Sequence, residues 1–155
     1  MLAYPLVMSE ILNKPEVAKI YIDARGPRFG AAITTTVLAV ALVTQNKWVL
    51  VAQGLVFLIG ALRGPQFTPY GLIYKNLVKP RLSKVGPTED VRPPKFAQAV
   101  GFVFALVGSI GAFAGVDLVF TIATGFALAA AFLNSAFNYC LGCEMYLLIV
   151  RFTSK

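Results

Sequence analysis

Residues 96–137 read FAQAVGFVFALVGSIGAFAGVDLVFTIATGFALAAAFLNSAF, and this stretch decides the fold. Its residues are predominantly apolar or small, and its one charged residue is Asp117. A helix rises about 1.5 Å per residue, so the segments at about 96–116 and 118–139 can each cross a hydrocarbon core of roughly 30 Å. We therefore predict a transmembrane helical hairpin with its turn at Asp117.

A second, shorter apolar stretch precedes this hairpin. It predicts spans at about 29–44 and 48–62, joined at a polar turn that contains Lys47. Each covers only about 23 Å, so it must recruit flanking residues or thin the bilayer locally. In the whole chain 57% of residues are hydrophobic and 14% are charged, against about 25% charged in a typical soluble domain. These values predict an all-α integral membrane protein with four transmembrane helices.

The positions of the charged residues predict the orientation. The net charge is +7, and every one of the 14 Lys and Arg residues except Lys47 lies on the same side of the predicted spans as the termini. Basic residues favour the cytoplasmic side of a membrane. We therefore expect an inner-membrane protein with both termini in the cytoplasm. The same pattern attributes the basic charge to topology and to anionic lipid headgroups rather than to nucleic acid.

Four segments follow from this topology. Residues 1–22 form an N-terminal cytoplasmic or interfacial segment, and residues 23–63 form the first hairpin. Residues 64–89 form a cytoplasmic linker, in which about 70–79 has the apolar and basic faces of an interfacial amphipathic helix. Residues 90–155 form the second hairpin and the cytoplasmic C-terminus.

The two hairpins share a sequence motif, D-x-R-x-P-[R/K]-F-x-x-A, at 23–32 and at 90–99. Each copy stands just before the first span of its hairpin, which predicts two tandem parallel repeats. An acidic residue before a helix N-terminus is favoured by the helix dipole, and the basic residues can pair with it or bind phosphate headgroups. The candidate lipid and interface residues are Asp23, Arg25, Arg28, Asp90, Arg92 and Lys95.

Small and polar residues within the spans predict how the helices pack. Gly101, Gly108 and Gly111 allow close helix approach, either within the bundle or against another protein. The candidate buried polar residues are Gln53, Asn134 and Asn138, which we expect to make interhelical hydrogen bonds or to line a polar pocket. No clear charge lies inside a span, as a proton relay or an ion pathway would usually require.

The only two cysteines, Cys140 and Cys143, form a C-x-x-C motif after the fourth span. We expect them at the cytoplasmic membrane surface, with Gly142 ending or kinking the span. Three interpretations stay open: a thiol redox or sulfur-handling pair, half of a metal site completed by a partner chain, or structural packing. The reducing cytoplasm argues against a permanent structural disulfide. A position at a helix C-terminus, next to the negative charge of Glu144, disfavours a thiolate. The chain has no His, so it cannot close a zinc site alone.

Three stretches carry a resemblance to a known family: R-G-P-R-F at 25–29, R-P-P-K-F-A-Q-A-V-G at 92–101 and C-L-G-C-E-x-Y at 140–146. They resemble small four-helix bacterial membrane proteins, mainly actinobacterial, whose domain has no known function. Members of that family are often associated with thioredoxin-like and sulfurtransferase-type proteins. The resemblance therefore implies thiol or sulfur chemistry at Cys140 and Cys143.

The leading functional hypothesis is a membrane protein that passes electrons or sulfur to or from a thioredoxin-like partner through Cys140 and Cys143. One alternative is a non-catalytic accessory subunit of a larger membrane complex, for example a respiratory one. Another is an oligomeric transporter of a small molecule or sulfur compound. The pattern leans against an enzyme without deciding the matter, and it predicts no cofactor. Expected partners are the anionic bilayer and either another protein or further copies of the chain.

Overall fold

Four long helices form the body of the protein in the computed structural model, which describes residues 21–82 and 88–153. The predictions for residues 1–20, for the segment 83–87 and for Lys155 lie outside the described residues. In chain order the elements are β1 (Tyr21–Asp23), α1 (Arg25–Thr44), α2 (Lys47–Arg63), α3 (Pro69–Ile73), β2 (Thr88–Asp90), α4 (Arg92–Phe113), α5 (Asp117–Phe137) and α6 (Leu141–Thr153). A π-helical turn over Tyr74–Val78 extends α3, and short 3-10 turns cover Pro65–Phe67 and Lys79–Arg81.

Tight turns join the long helices into two hairpins. Gln45 ends α1 in the left-handed conformation with φ of 52°, and the Asn46 side chain accepts the backbone N–H of Trp48 to cap α2. Between α4 and α5 the chain turns at Gly115, whose φ of 81° suits a residue without a Cβ. Both turns lie at one end of the bundle, and β1, β2, α3 and α6 adjoin the other ends of the long helices.

The core lies where the two hairpins meet. Helix α2 packs against α4, and α1 packs against α5. Leu38, Leu50, Phe57, Ala105, Phe120 and Ala127 form its buried apolar cluster. A Cβ on Gly101 would lie 2.8 Å from the Phe57 ring, and one on Gly108 would lie 2.8 Å from Leu50. These two glycines therefore serve close packing inside the chain.

A two-stranded antiparallel sheet joins the starts of the two hairpins. Tyr21 pairs with Asp90, Ile22 with Glu89 and Asp23 with Thr88. The sequence predicts no strand here, because a three-residue strand is too short to show an alternating pattern. The all-α prediction is therefore confirmed for the helices and is incomplete at this small sheet.

The helix boundaries differ from the predicted spans for identifiable reasons. Helices α1 and α4 begin at Arg25 and Arg92, before the predicted starts at 29 and 96, because an aspartate two residues upstream accepts the first backbone N–H. Helix α4 ends at Phe113 rather than 116, before Gly115. Helix α5 ends at Phe137 rather than 139, because Asn138 adopts the left-handed conformation.

The predicted amphipathic helix at 70–79 takes a different form. Its first half is α-helical and its second half is π-helical, which alters the rotation between successive side chains. Tyr74 is buried, whereas Ile73 and Leu77 are exposed. The single apolar face predicted from the sequence is thus divided between the bundle and the outer surface.

Candidate functional site

The C-x-x-C motif occupies the junction between α5 and α6. Asn138 ends α5 with φ of 53°, and α6 begins at Leu141. Cys140 and Cys143 form a disulfide, with their Cα atoms 5.1 Å apart. The cysteines follow the fourth long helix, as predicted, but the expectation that they lie at a helix C-terminus is wrong. They stand at the start of a new helix.

Cys140 caps the N-terminus of α6. Its Sγ accepts the backbone N–H of Cys143 at 3.2 Å, and its carbonyl accepts the N–H of Glu144 at 3.0 Å. These contacts satisfy backbone donors that have no partner inside the helix. The unpaired carbonyl groups at a helix C-terminus disfavour a thiolate, whereas the unpaired N–H groups at this N-terminus favour one. One objection raised by the sequence, the helix-end position, is thus reversed, while Glu144 remains in the first turn of α6.

The two cysteines differ in exposure. The residue Cys143 is 4% exposed and faces the bundle, whereas Cys140 is half-buried. Gly142 does not end or kink a span. It lies inside α6 where that helix crosses α4, and a Cβ on Gly142 would lie 2.5 Å from the Cα of Ala97. The missing side chain therefore seats α6 and its disulfide against α4.

Arg28 also supports this junction. Its Nε donates to the carbonyl of Ser135 at 3.1 Å, in the last turn of α5. The final carbonyls of a helix lack partners within it, so a cation there is favourable. The sequence analysis predicted a headgroup contact for Arg28. Its partner lies more than a hundred residues away, and no local signal could have identified it.

The other predicted interface residues form two similar clusters at the starts of α1 and α4. Arg25 donates to both carboxylate oxygens of Asp23, from Nε at 3.1 Å and from Nη2 at 2.9 Å. Tyr74 donates its hydroxyl to the same carboxylate at 3.0 Å. The hydrogen bonds from Arg25 hold the pKa of Asp23 at about 2, below its ordinary value.

In the second cluster Arg92 pairs with Asp90, whose side chain is 1% exposed. Burial makes this pair a structural part of the bundle end, since an unpaired carboxylate there would be costly. Lys95, in the first turn of α4, is half-buried. The structure thus brings Asp23 and Asp90 into intramolecular ion pairs.

Of the predicted buried polar residues, Gln53 is the one that joins elements. It is almost fully buried, donates to the Thr34 hydroxyl at 3.5 Å and accepts the Tyr70 hydroxyl at 2.6 Å. Burial raises the pKa of Tyr70. Asn134 is half-buried, and Asn138 is exposed because it caps α5 rather than facing the bundle. The structure adds Thr34 and Tyr70 as partners of Gln53, and no pattern in the sequence indicates either contact.

Within residues 21–82 and 88–153, no group of three or more His, Cys, Asp or Glu side chains could hold a metal ion. The chemical features described above are the cysteine disulfide, the polar network of Gln53 and the ion pairs of Asp23 and Asp90. Of these, only the disulfide has a reactive bond at a partly accessible position.

The fold defines the class of protein. Helices α1, α4 and α5, of 20 to 22 residues, are long and apolar enough to cross a membrane, so this is an α-helical membrane protein. Residues 22–151 match the family model described as Domain of unknown function (DUF4395), and the chain belongs to that family. Comparisons with curated proteins and with solved structures find no match.

Proposed function

We propose that this protein exchanges disulfides or sulfur with a thioredoxin-like partner at the cytoplasmic membrane surface. The observation that carries the proposal is the placement of Cys140 and Cys143. A disulfide-bonded pair stands at a helix N-terminus, with one sulfur half-buried and the other buried. Packing alone would not require the sulfur at the capping position, that of Cys140, to be bonded to Cys143.

The proposed exchange starts from the Cys140–Cys143 disulfide. A partner thiolate attacks the more accessible Sγ of Cys140, forms a mixed disulfide and releases Cys143 as a thiolate that takes up a proton. The second partner thiolate attacks the partner's own sulfur in that bond and releases Cys140. Two electrons pass from the partner dithiol to the cysteine pair, and the reverse sequence returns them.

Electrostatics supports Cys140 as the reactive sulfur. Its Sγ lies within reach of the Cys143 amide, and the N-terminal amides of α6 stabilise a negative charge on it. A stabilised thiolate makes Cys140 a better leaving group in the last step. The sulfur-handling version places a persulfide on the same atom, so both versions require Cys140 to be the accessible cysteine.

A redox titration tests the proposal. The full-length protein in nanodiscs is equilibrated in buffers of defined glutathione potential, quenched, and its thiols are counted by mass after alkylation. We expect a reversible transition from two thiols to none, with a midpoint in the range of cellular dithiol pairs. Failure to form or reduce the disulfide reversibly across that range would eliminate the redox version.

A second measurement separates sulfur transfer from redox exchange. A sulfurtransferase loaded with persulfide is mixed with the reduced Cys143→Ser variant, which lacks the thiol that would displace the added sulfur as sulfide, and the mass of the Cys140 peptide is followed. Gain of one sulfur at Cys140, absent in Cys140→Ser, supports sulfur transfer. Gain at neither cysteine excludes that version and leaves the redox result to decide the proposal.

We further propose that the protein has four transmembrane spans arranged as two repeats. Helix α2 has 17 residues, about 25 Å, and crosses the core if the bilayer thins around it. Two similarities support the repeat. The Phe29–Tyr74 and Phe96–Tyr146 ring centroids are both 5.7 Å apart. The strands also pair symmetrically about Ile22 and Glu89. These two residues occupy equivalent positions, since each directly precedes its own copy of the motif.

The proposed location is the bacterial inner membrane with both termini cytoplasmic. The bundle end that carries α3 and α6 also carries Arg25, Arg28, Arg92 and Lys95, and the hairpin turns at the other end carry Lys47. This asymmetry is the basis for placing the disulfide in the cytoplasm. The orientation is checked by adding a tag with a cysteine or a protease site to each terminus. The measurement is whether a thiol reagent or a protease reaches that tag in spheroplasts.

The accessory-subunit alternative rested partly on small-residue surfaces free to bind a partner. Gly101 and Gly108 instead contact Phe57 and Leu50 within the chain. Co-purification of stoichiometric partners in mild detergent is the measurement that would favour this alternative.

A further inference from the structure

The outer face of α6 is apolar although the helix follows the last long helix of the bundle. Its large apolar residues are between 37% and 70% exposed, and they are Leu141, Met145, Leu148, Ile149 and Phe152. On an ideal helix these five positions fall within an arc of about 100°. The opposite face, with Cys143 and Leu147, is buried against the bundle. One face of the helix therefore packs on the protein, and the other is an apolar face that none of the residues in 21–82 and 88–153 covers.

We infer that α6 lies in the cytoplasmic headgroup region of the membrane, with this apolar face inserted among the acyl chains. Helix α6 begins four residues after α5 ends, so its start lies where the hydrocarbon core gives way to headgroups. Glu144 and Arg151 both lie on the flank between the two faces, where headgroups and water are within reach. This placement goes beyond the proposed function, because it does not require the cysteines to react.

The matching element of the first hairpin supports the same occupant. After α2, the segment of α3 and the π-helical turn buries Tyr74 and exposes Leu72, Ile73 and Leu77. Lys75 stands in the same segment, and Lys79 directly follows it. Two segments at one end of the bundle thus combine outward apolar residues with nearby basic residues, as expected of contact with an anionic bilayer surface. Such a placement keeps the disulfide at headgroup depth and limits its partners to proteins that reach the membrane surface.

Tryptophan fluorescence in liposomes tests this inference with both cysteines intact. Trp48, the single Trp of the chain, is replaced by Phe, and one new Trp is introduced as Leu148→Trp, Phe152→Trp or, as the control on the flank, Glu144→Trp. Each full-length variant is reconstituted in liposomes of phosphatidylcholine and phosphatidylglycerol. One set of liposomes contains lipids brominated near the headgroup, and the other contains lipids brominated near the end of the acyl chain. Acrylamide measures exposure to water.

We expect lipids brominated near the headgroup to quench the fluorescence of the Leu148→Trp and Phe152→Trp variants at least about twofold more than that of the Glu144→Trp control. We expect acrylamide to quench the control more than the other two variants. Quenching mainly by acrylamide would show a face exposed to water and overturn the inference. Quenching by neither agent would show a face covered by protein and overturn it as well. Disulfide exchange measured on the same variants is a separate readout, so failure of the proposed function leaves this result interpretable.

Discussion

Gly142 of α6 lies directly on Ala97 of α4, so close that a Cβ on the glycine would stand 2.5 Å from both the Cα and the Cβ of the alanine. The contact seats the helix that carries the cysteine pair on the first helix of the second hairpin. Because the obstacle includes backbone, a side chain at 142 cannot be accommodated by a rotamer change.

We therefore expect Gly142→Ala to destabilise the protein by about 1–3 kcal/mol and to raise the reactivity of Cys143 as α6 lifts from α4. Gly125→Ala is the matched control, since a Cβ there meets nothing within 4 Å and Ala favours a helix. Thermal unfolding in detergent and the rate of alkylation after reduction are the two measurements. Equal stability of the two variants would contradict the packing argument.

The two cysteines should differ in reactivity. After reduction, Cys143→Ser leaves Cys140 at the accessible cap, and Cys140→Ser leaves Cys143 facing the bundle. We expect the first variant to react with a maleimide at least about tenfold faster near neutral pH, because both access and the helix amides favour Cys140. The first variant should also trap a mixed disulfide with a thioredoxin-like protein. Faster reaction of Cys143 would reverse the assigned roles.

The hydrogen bond from Tyr70 to Gln53 should matter because its acceptor is buried. Tyr70→Phe removes the donor at 2.6 Å and leaves Oε1 of Gln53 without it, which we expect to cost about 1–3 kcal/mol. The double variant Tyr70→Phe with Gln53→Leu removes both partners and should recover part of that loss. A double variant as unstable as the sum of the single variants would show that the two residues act independently.

The ion pair of Asp23 predicts a pH dependence of stability. Its pKa is about 2 in the folded protein against an ordinary 3.8, so the pair stabilises the fold above pH about 4. That contribution is lost as the pH falls towards about 2. We expect Asp23→Asn to be about 1 kcal/mol less stable than the wild type near neutral pH, and the difference to vanish in acid. A difference in unfolding temperature that stayed constant with pH would exclude this role.

The four long helices and their apolar character were predictable from the sequence, because burial in lipid requires long apolar runs and these four runs are visible in it. Asp23 and Asp90 also marked the helix starts, since the motif places an acceptor just before each first turn. The exact ends were less predictable. Asn138 and Gly115 stop helices through left-handed backbone conformations that a hydropathy pattern does not reveal.

By itself the sequence determined a helical membrane protein with one cysteine pair, since composition and spacing are properties of the chain alone. Only the tertiary structure decided that Cys140 caps a new helix and that Cys143 is buried, because both depend on where Asn138 turns the chain and on how Gly142 meets Ala97. It likewise decided that Arg28 binds the carbonyl of Ser135. Contacts between residues far apart in sequence arise when helices pack, so local sequence patterns do not reveal them.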